Sequence, residues 1–189
     1  MLMTLPNLLT LSRIAVIPLV VGTFDLDHPW DAWLGGVLFA AACVTDWLDG
    51  HFARRWQQVS AFGRFLDPIA DKLLVAIILM MLVAFDRLGR SALFPALVIL
   101  AREILVSGLR EYLAALRVSV PVTKLAKWKT TVQLVAIGFL LTGEAGDQVV
   151  PVVTQIGLLL LWISAIITIY TGWDYFRAGV RHLIEEDEG

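Results

Sequence analysis

Residues 31–71 read DAWLGGVLFAAACVTDWLDGHFARRWQQVSAFGRFLDPIAD. The stretch opens as a chain suited to hydrocarbon and closes on Asp46, Asp49, Asp67 and Asp71, with the adjacent Arg54 and Arg55 and the small residues Gly50, Ala53 and Gly63 between them. Its apolar part fills residues 31–53, enough to cross a hydrocarbon core that takes roughly 17 to 25 residues per helix. A second apolar run starts near residue 66 and continues to about 85. Two helices joined by a short polar connection are therefore expected, with acidic side chains at the joined ends.

The rest of the chain follows the same pattern. Of its 189 residues 58% are hydrophobic and only 17% charged, with mean hydropathy +0.77. That balance excludes an ordinary soluble domain. Further spans are expected at 8–25, 91–113, 124–143 and 149–175. The reading is an all-α integral membrane protein, with six transmembrane helices in a single domain over 1–189. PNLLTLSR, near the start, is amphipathic enough to lie in the headgroup region before the first span. The N-terminal stretch has no early lysine or arginine, so it is expected to be retained rather than cleaved. The acidic EEDEG end reads as a solvated tail. A net charge of −2 gives no case for nucleic-acid binding. Cys43 is the sole cysteine, so no disulfide framework exists, and a packed thiol is expected.

Basic residues set the orientation. With the N-terminus inside, Arg13, Arg54, Arg55, Arg64, Lys72, Arg110, Arg117, Lys124, Lys127, Lys129, Arg177 and Arg181 share one side, and Arg87 and Arg90 take the other. This places both termini and the aspartate-rich connection in the cytoplasm, at the cytoplasmic (inner) membrane. Asp25, Asp27, Asp31, Asp86, Glu144 and Asp147 fall in the opposite loops, where solvation alone would account for them.

At about 100° per residue, Asp46, Asp49, Gly50 and Ala53 form one stripe about 100° wide. Ser60, Gly63, Asp67 and Asp71 form another about 80° wide if the helix begins by residue 60. Two neighbouring helices can thus aim four carboxylates into one cleft. Clustered aspartates repel, and each costs about 2.5 to 3.5 kcal/mol at mid-bilayer, so positive charge must accompany them. Ligation by carboxylate oxygens without His or Cys suits a hard divalent ion, Mg²⁺, Mn²⁺ or Ca²⁺, and four such groups suit two ions. Two-metal clefts are a recurrent device for displacement at phosphorus. Gly50, Ala53 and Gly63 leave room for a bulky polar ligand, and Arg54 offers a planar fork to phosphate oxygens. Singly, Asp67 before Pro68 reads as a helix cap and the glycines as packing residues; capping does not explain four aspartates.

The pattern of Asp46, Asp49, Gly50, Ala53, Arg54, Gly63, Asp67 and Asp71 resembles the signature of the CDP-alcohol phosphatidyltransferases, with each fixed position at the expected spacing. The resemblance implies transfer of a phosphatidyl group from a CDP-linked lipid to an alcohol, with release of CMP and dependence on Mg²⁺ or Mn²⁺. It also implies that Asp46, Asp49 and Asp67 bind the metals, and that Asp71 holds one of them and takes the proton of the acceptor hydroxyl. Gly50, Ala53 and Arg54, with Ser60 and Gly63 beside them, would line the CDP-diacylglycerol site, and a homodimer is expected. LPNLLTLSR, AREILVSGLREYLA and KLAKWKTTVQ are similar to stretches of family members whose acceptor is glycerol 3-phosphate. Arg110, Lys127 and Lys129 are then the candidates for the acceptor phosphate, with ordinary cytoplasmic topology charges as the alternative reading. Ala126 departs from the glycine often found before the first of these lysines.

Arg102 and Glu103 fall mid-helix, where a charge needs a partner; adjacent positions diverge, so a partner on another helix is expected as readily as a catalytic role. Besides a structural membrane scaffold, for which Asp71→Asn would leave function untouched, two other functions stay open at this point. One is a sister enzyme acting on inositol phosphate, serine or a phospholipid; the other is a divalent-cation transporter using the same aspartates.

Overall fold

The computed structural model describes residues 5–56, 61–116 and 124–187, and for 5–9, 49–56, 61, 62, 64, 67, 115, 124, 174 and 178–187 it describes the backbone alone. Six helices account for nearly all of it: α1 Leu5–Thr23, α2 Trp30–Trp56, α3 Ala61–Ala84, α4 Arg90–Ala115, α5 Lys124–Val149 and α6 Val153–Asp187. Three are long and apolar enough to cross a membrane, over Trp30–Leu48, Arg90–Ala114 and Val153–Arg177, and α1 adds a shorter apolar stretch, Thr10–Thr23. In α3 and α5 the N-terminal halves carry charge, Arg64, Asp67, Asp71 and Lys72 in one and Lys124, Lys127 and Lys129 in the other, which shortens their apolar portions.

The helix boundaries correct several expectations. Pro68 lies eight residues into α3, inside the helix rather than in its first turn, so the carbonyl one turn earlier loses its amide partner. The fifth helix does not stop at 143. It bends there, at Gly143 with φ 45° and ψ −129°, and runs on to Val149. That dihedral pair is open to glycine and strained for other residues. Helix α6 continues through Asp187, so its backbone runs into the acidic end.

The helices group into two compact units. The first comprises Met1–Gly89 and Ile137–Gly157, and the second Arg90–Ala136 and Leu158–Gly189. In the first, α1 packs on both α2 and α3. Its buried face is Thr10, Arg13, Ile17 and Val20, spaced by three and four residues as one stripe of a helix. Ala70, Leu74, Val75, Ile78, Leu79 and Leu82 form the corresponding face of α3. Lipid offers no hydrophobic drive between helices, so close packing of small residues matters more than apolar area. Gly35 and Gly36 supply it: a Cβ on the first would lie 2.9 Å from the Thr23 hydroxyl, and on the second 2.9 Å from a Thr142 methyl.

The end of this unit away from Asp46 is locked by polar contacts. Arg87 donates to the Leu141 carbonyl at 2.9 Å and to the Asp31 carboxylate, and its guanidinium lies 4.7 Å over the Phe24 ring. Phe24 in turn meets Phe85 at 5.1 Å between centroids. Asp147 accepts from the Thr154 amide at 3.0 Å, capping the start of α6. Asp31 and Asp147 therefore do more than meet solvent, which was all their loop positions required.

In the second unit, the buried stripe of α4 runs Ala92, Ala96, Ile99, Val106 and Leu113, and Glu103 and Arg110 fall on the same line. The stripe of α5 includes Lys129 and Gln133, and that of α6 is Leu161, Ser164, Thr168, Thr171 and Tyr175. Outward positions are apolar, such as Ile104 at 71% and Leu105 at 72% exposure, as a lipid-facing surface requires.

Candidate functional site

Asp46 stands in the C-terminal half of α2 and Asp71 in the N-terminal half of α3. Both reach one guanidinium, that of Arg13 on α1. Nη2 of Arg13 lies 2.7 Å from Oδ1 of Asp46, and Nη1 donates to Oδ1 of Asp71 at 2.5 Å. Arg13 is 1% exposed, whereas the two carboxylates are 44% and 53% exposed. The guanidinium thus lies beneath a half-open acidic pair drawn from two helices. Position alone would have found it, because Arg13 falls three residues after Thr10 and four before Ile17, on the buried stripe. Its sequence reading as a topology charge missed this.

Asp49, Gly50, Ala53, Arg54 and Asp67 lie on α2 and α3, but their side chains are outside what the structure describes, and Ser60 is outside it altogether. Gly63 is buried at the start of α3. Among the described side chains, which do not include those of Asp49 and Asp67, no three of His, Cys, Asp or Glu gather as a metal site. What is described fits a divalent ion in two respects. The donors are carboxylates only, and those of α2 and α3 converge on a place already filled by positive charge. Cys43, one turn before Asp46, is partly buried, close to the packed thiol expected.

The acceptor candidates belong to the second unit. Lys129 is 4% exposed, and its ammonium donates to Oε1 of Glu103. The same oxygen lies 3.8 Å from Nη1 of Arg102, which donates through Nη2 to the Thr171 hydroxyl at 3.0 Å. Arg102 and Arg110 each hold their guanidinium carbon 5.9 Å from the Tyr175 ring. Lys127 is exposed. Arg110, Lys129, Arg102 and Glu103 thus form one polar cluster carrying more positive than negative charge, the electrostatic setting in which an anion is favoured. Lys129 enters it as a buried partner of Glu103 rather than as an open cation. Glu103 finds a close partner on another helix and a looser one in the adjacent Arg102.

The profile of the family described as CDP-alcohol phosphatidyltransferase matches residues 3–170. Several curated proteins named CDP-diacylglycerol–glycerol-3-phosphate 3-phosphatidyltransferase are similar over nearly their whole length. That of Rickettsia bellii is 47% identical over 174 residues, covering 92% of this chain and 94% of the relative. That of Pectobacterium atrosepticum is 40% identical, covering 96% and 97%. That of Cereibacter sphaeroides is 38% identical, covering 97% and 98%. With two of the motif's aspartates brought to one guanidinium and the match running through five of the six helices and into the last, the chain belongs to the CDP-alcohol phosphatidyltransferase family.

Proposed function

We propose that the chain transfers the phosphatidyl group of CDP-diacylglycerol to sn-glycerol 3-phosphate, giving phosphatidylglycerophosphate and CMP. The observation that carries this is the shared name of relatives that match 92% to 97% of the chain at 38% to 47% identity. The setting is the cytoplasmic membrane, with six spans, an interfacial N-terminal segment and both termini inside. The chain acts as one domain over 1–189 and as a homodimer. The apolar outward faces and the distribution of basic residues support this placement.

Asp46, Asp49, Asp67 and Asp71 would hold two Mg²⁺ or Mn²⁺ ions, which supply charge neutralisation for the diphosphate and the departing CMP. Gly50, Ala53, Arg54, Ser60 and Gly63 line the CDP-lipid. An oxygen of the acceptor alcohol attacks the phosphorus bearing the diacylglycerol, and the bond from that phosphorus to the bridging oxygen breaks as CMP leaves. Asp71 takes the hydroxyl proton, a role its half-exposed carboxylate permits. Arg110, Lys127 and Lys129 hold the acceptor's phosphate. For Lys129 this means sharing its ammonium between Glu103 and the ligand.

The test is CMP release from CDP-diacylglycerol by purified protein offered glycerol 3-phosphate, inositol phosphate, serine and phosphatidylglycerol in turn. Release with glycerol 3-phosphate alone, lost on chelation and reduced at least about 100-fold in Asp71→Asn, is expected. Release with another acceptor instead would reassign the substrate. Divalent-cation uptake into vesicles without lipid turnover would replace the enzyme with a transporter.

A further inference from the structure

Arg13 is the one residue of α1 whose charge reaches the acidic motif among the described side chains, and it does so from a buried position. Burying a guanidinium costs several kcal/mol unless carboxylates surround it, and two carboxylates from two other helices do so here. We propose that Arg13 is the acidic site's built-in counter-ion. It holds Asp46 and Asp71 together when no divalent cation is bound, and it lowers their affinity for such cations by competing for the same oxygens. This rests on the reading of the aspartates as a divalent-cation site.

The opposing effects follow from one charge. Without a cation, the two carboxylates repel each other, and a fixed positive charge between them offsets that repulsion. With a cation, that same charge repels the incoming ion. Arginine suits the role because it keeps its proton at any working pH and its planar fork reaches two acids at once. An ordinary packing residue at this position would alter stability alone. A counter-ion must shift stability and cation affinity in opposite directions.

The experiment uses the full chain in lipid nanodiscs as wild type, Arg13→Gln and Arg13→Lys. Mn²⁺ binding is followed by the electron paramagnetic resonance signal of the free ion, and thermal unfolding is recorded with and without Mn²⁺. Arg13→Gln should bind Mn²⁺ at least about tenfold more tightly. It should also unfold at a lower temperature than wild type without the ion, and gain more from the ion than wild type does. Arg13→Lys keeps the charge but loses the two-pronged reach, so its Mn²⁺ affinity should stay closer to wild type than that of Arg13→Gln.

Unchanged or weaker Mn²⁺ binding by Arg13→Gln, with binding by wild type intact, overturns the proposal and leaves the cation site standing. Absence of Mn²⁺ binding by wild type removes the cation site itself. Should Arg13→Gln not be recovered folded, Arg13→Lys decides: a change of tenfold or more in its affinity means that shape, not charge, is what Arg13 contributes.

Discussion

Replacing Glu103 by Gln removes one charge from a buried pair and leaves the shape nearly unchanged. Lys129, 4% exposed, then keeps an ammonium with its carboxylate gone. Stranding one partner of a buried pair costs about 3 to 5 kcal/mol in soluble proteins. Between membrane helices polar links average nearer 0.6 kcal/mol, with a maximum of about 1.7. Because Lys129 is almost wholly enclosed, about 2 to 3 kcal/mol is expected for Glu103→Gln. Lys129→Met should cost less, about 1 kcal/mol, because the remaining Glu103 is 20% exposed and has Arg102 at 3.8 Å. The double variant should be more stable than Glu103→Gln alone, since it leaves no buried ammonium. Equilibrium unfolding in mixed micelles measures all four proteins in one double-mutant cycle. A double variant that loses the sum of the two single costs, or a Lys129→Met that loses more than Glu103→Gln, would show that the pair is not what holds these helices.

Three further outcomes concern a helix cap and two glycines within helices. Hydrogen bonding from Thr154 holds the Asp147 carboxyl below the ordinary carboxylate range. Its capping contribution is therefore fully present above that range and is lost as pH falls through the lowered folded value; protection of the Thr154 amide against hydrogen exchange, relative to the intrinsic rate at each pH, should fall on acidification, and in Asp147→Asn that fall should vanish. Gly143→Ala should destabilise by about 1 to 2 kcal/mol through backbone strain, since its φ is 45° and no neighbour would meet the added methyl. In contrast Gly108→Ala, within α4 and equally open, should stabilise by about 0.5 to 1 kcal/mol. Thermal unfolding of the two variants checks the sign of each.

The helices were legible because apolar runs of bilayer length admit few alternatives, and the approach of Asp46 to Asp71 because each lies on a stripe of its own helix. Helix ends were less so. Nothing in TGEAGD distinguishes a loop from a bend with helix on either side, as at Gly143, because glycine permits both. Pro68 lies inside α3 although an interior proline forfeits a hydrogen bond, a loss tolerated in a packed helix. The partners of charged residues were the least visible. Arg87 and Asp31, 56 positions apart, and Glu103 and Lys129, 26 apart, meet only through tertiary packing. Arg13 was the exception that periodicity held, since it shares its buried stripe with Thr10 and Ile17.

The glycines at the start of α2 bear on the aspartates at its other end. Gly36 lies ten residues before Asp46, about 15 Å along the axis, and a methyl there would press on Thr142. A rigid rod pivoted at one tip swings at the other, so the gauge of the acidic gap is fixed partly by how little α2 carries at its first turns. Ala at Gly35 or Gly36 would act as a shim, widening or skewing that gap with no change to any acidic side chain.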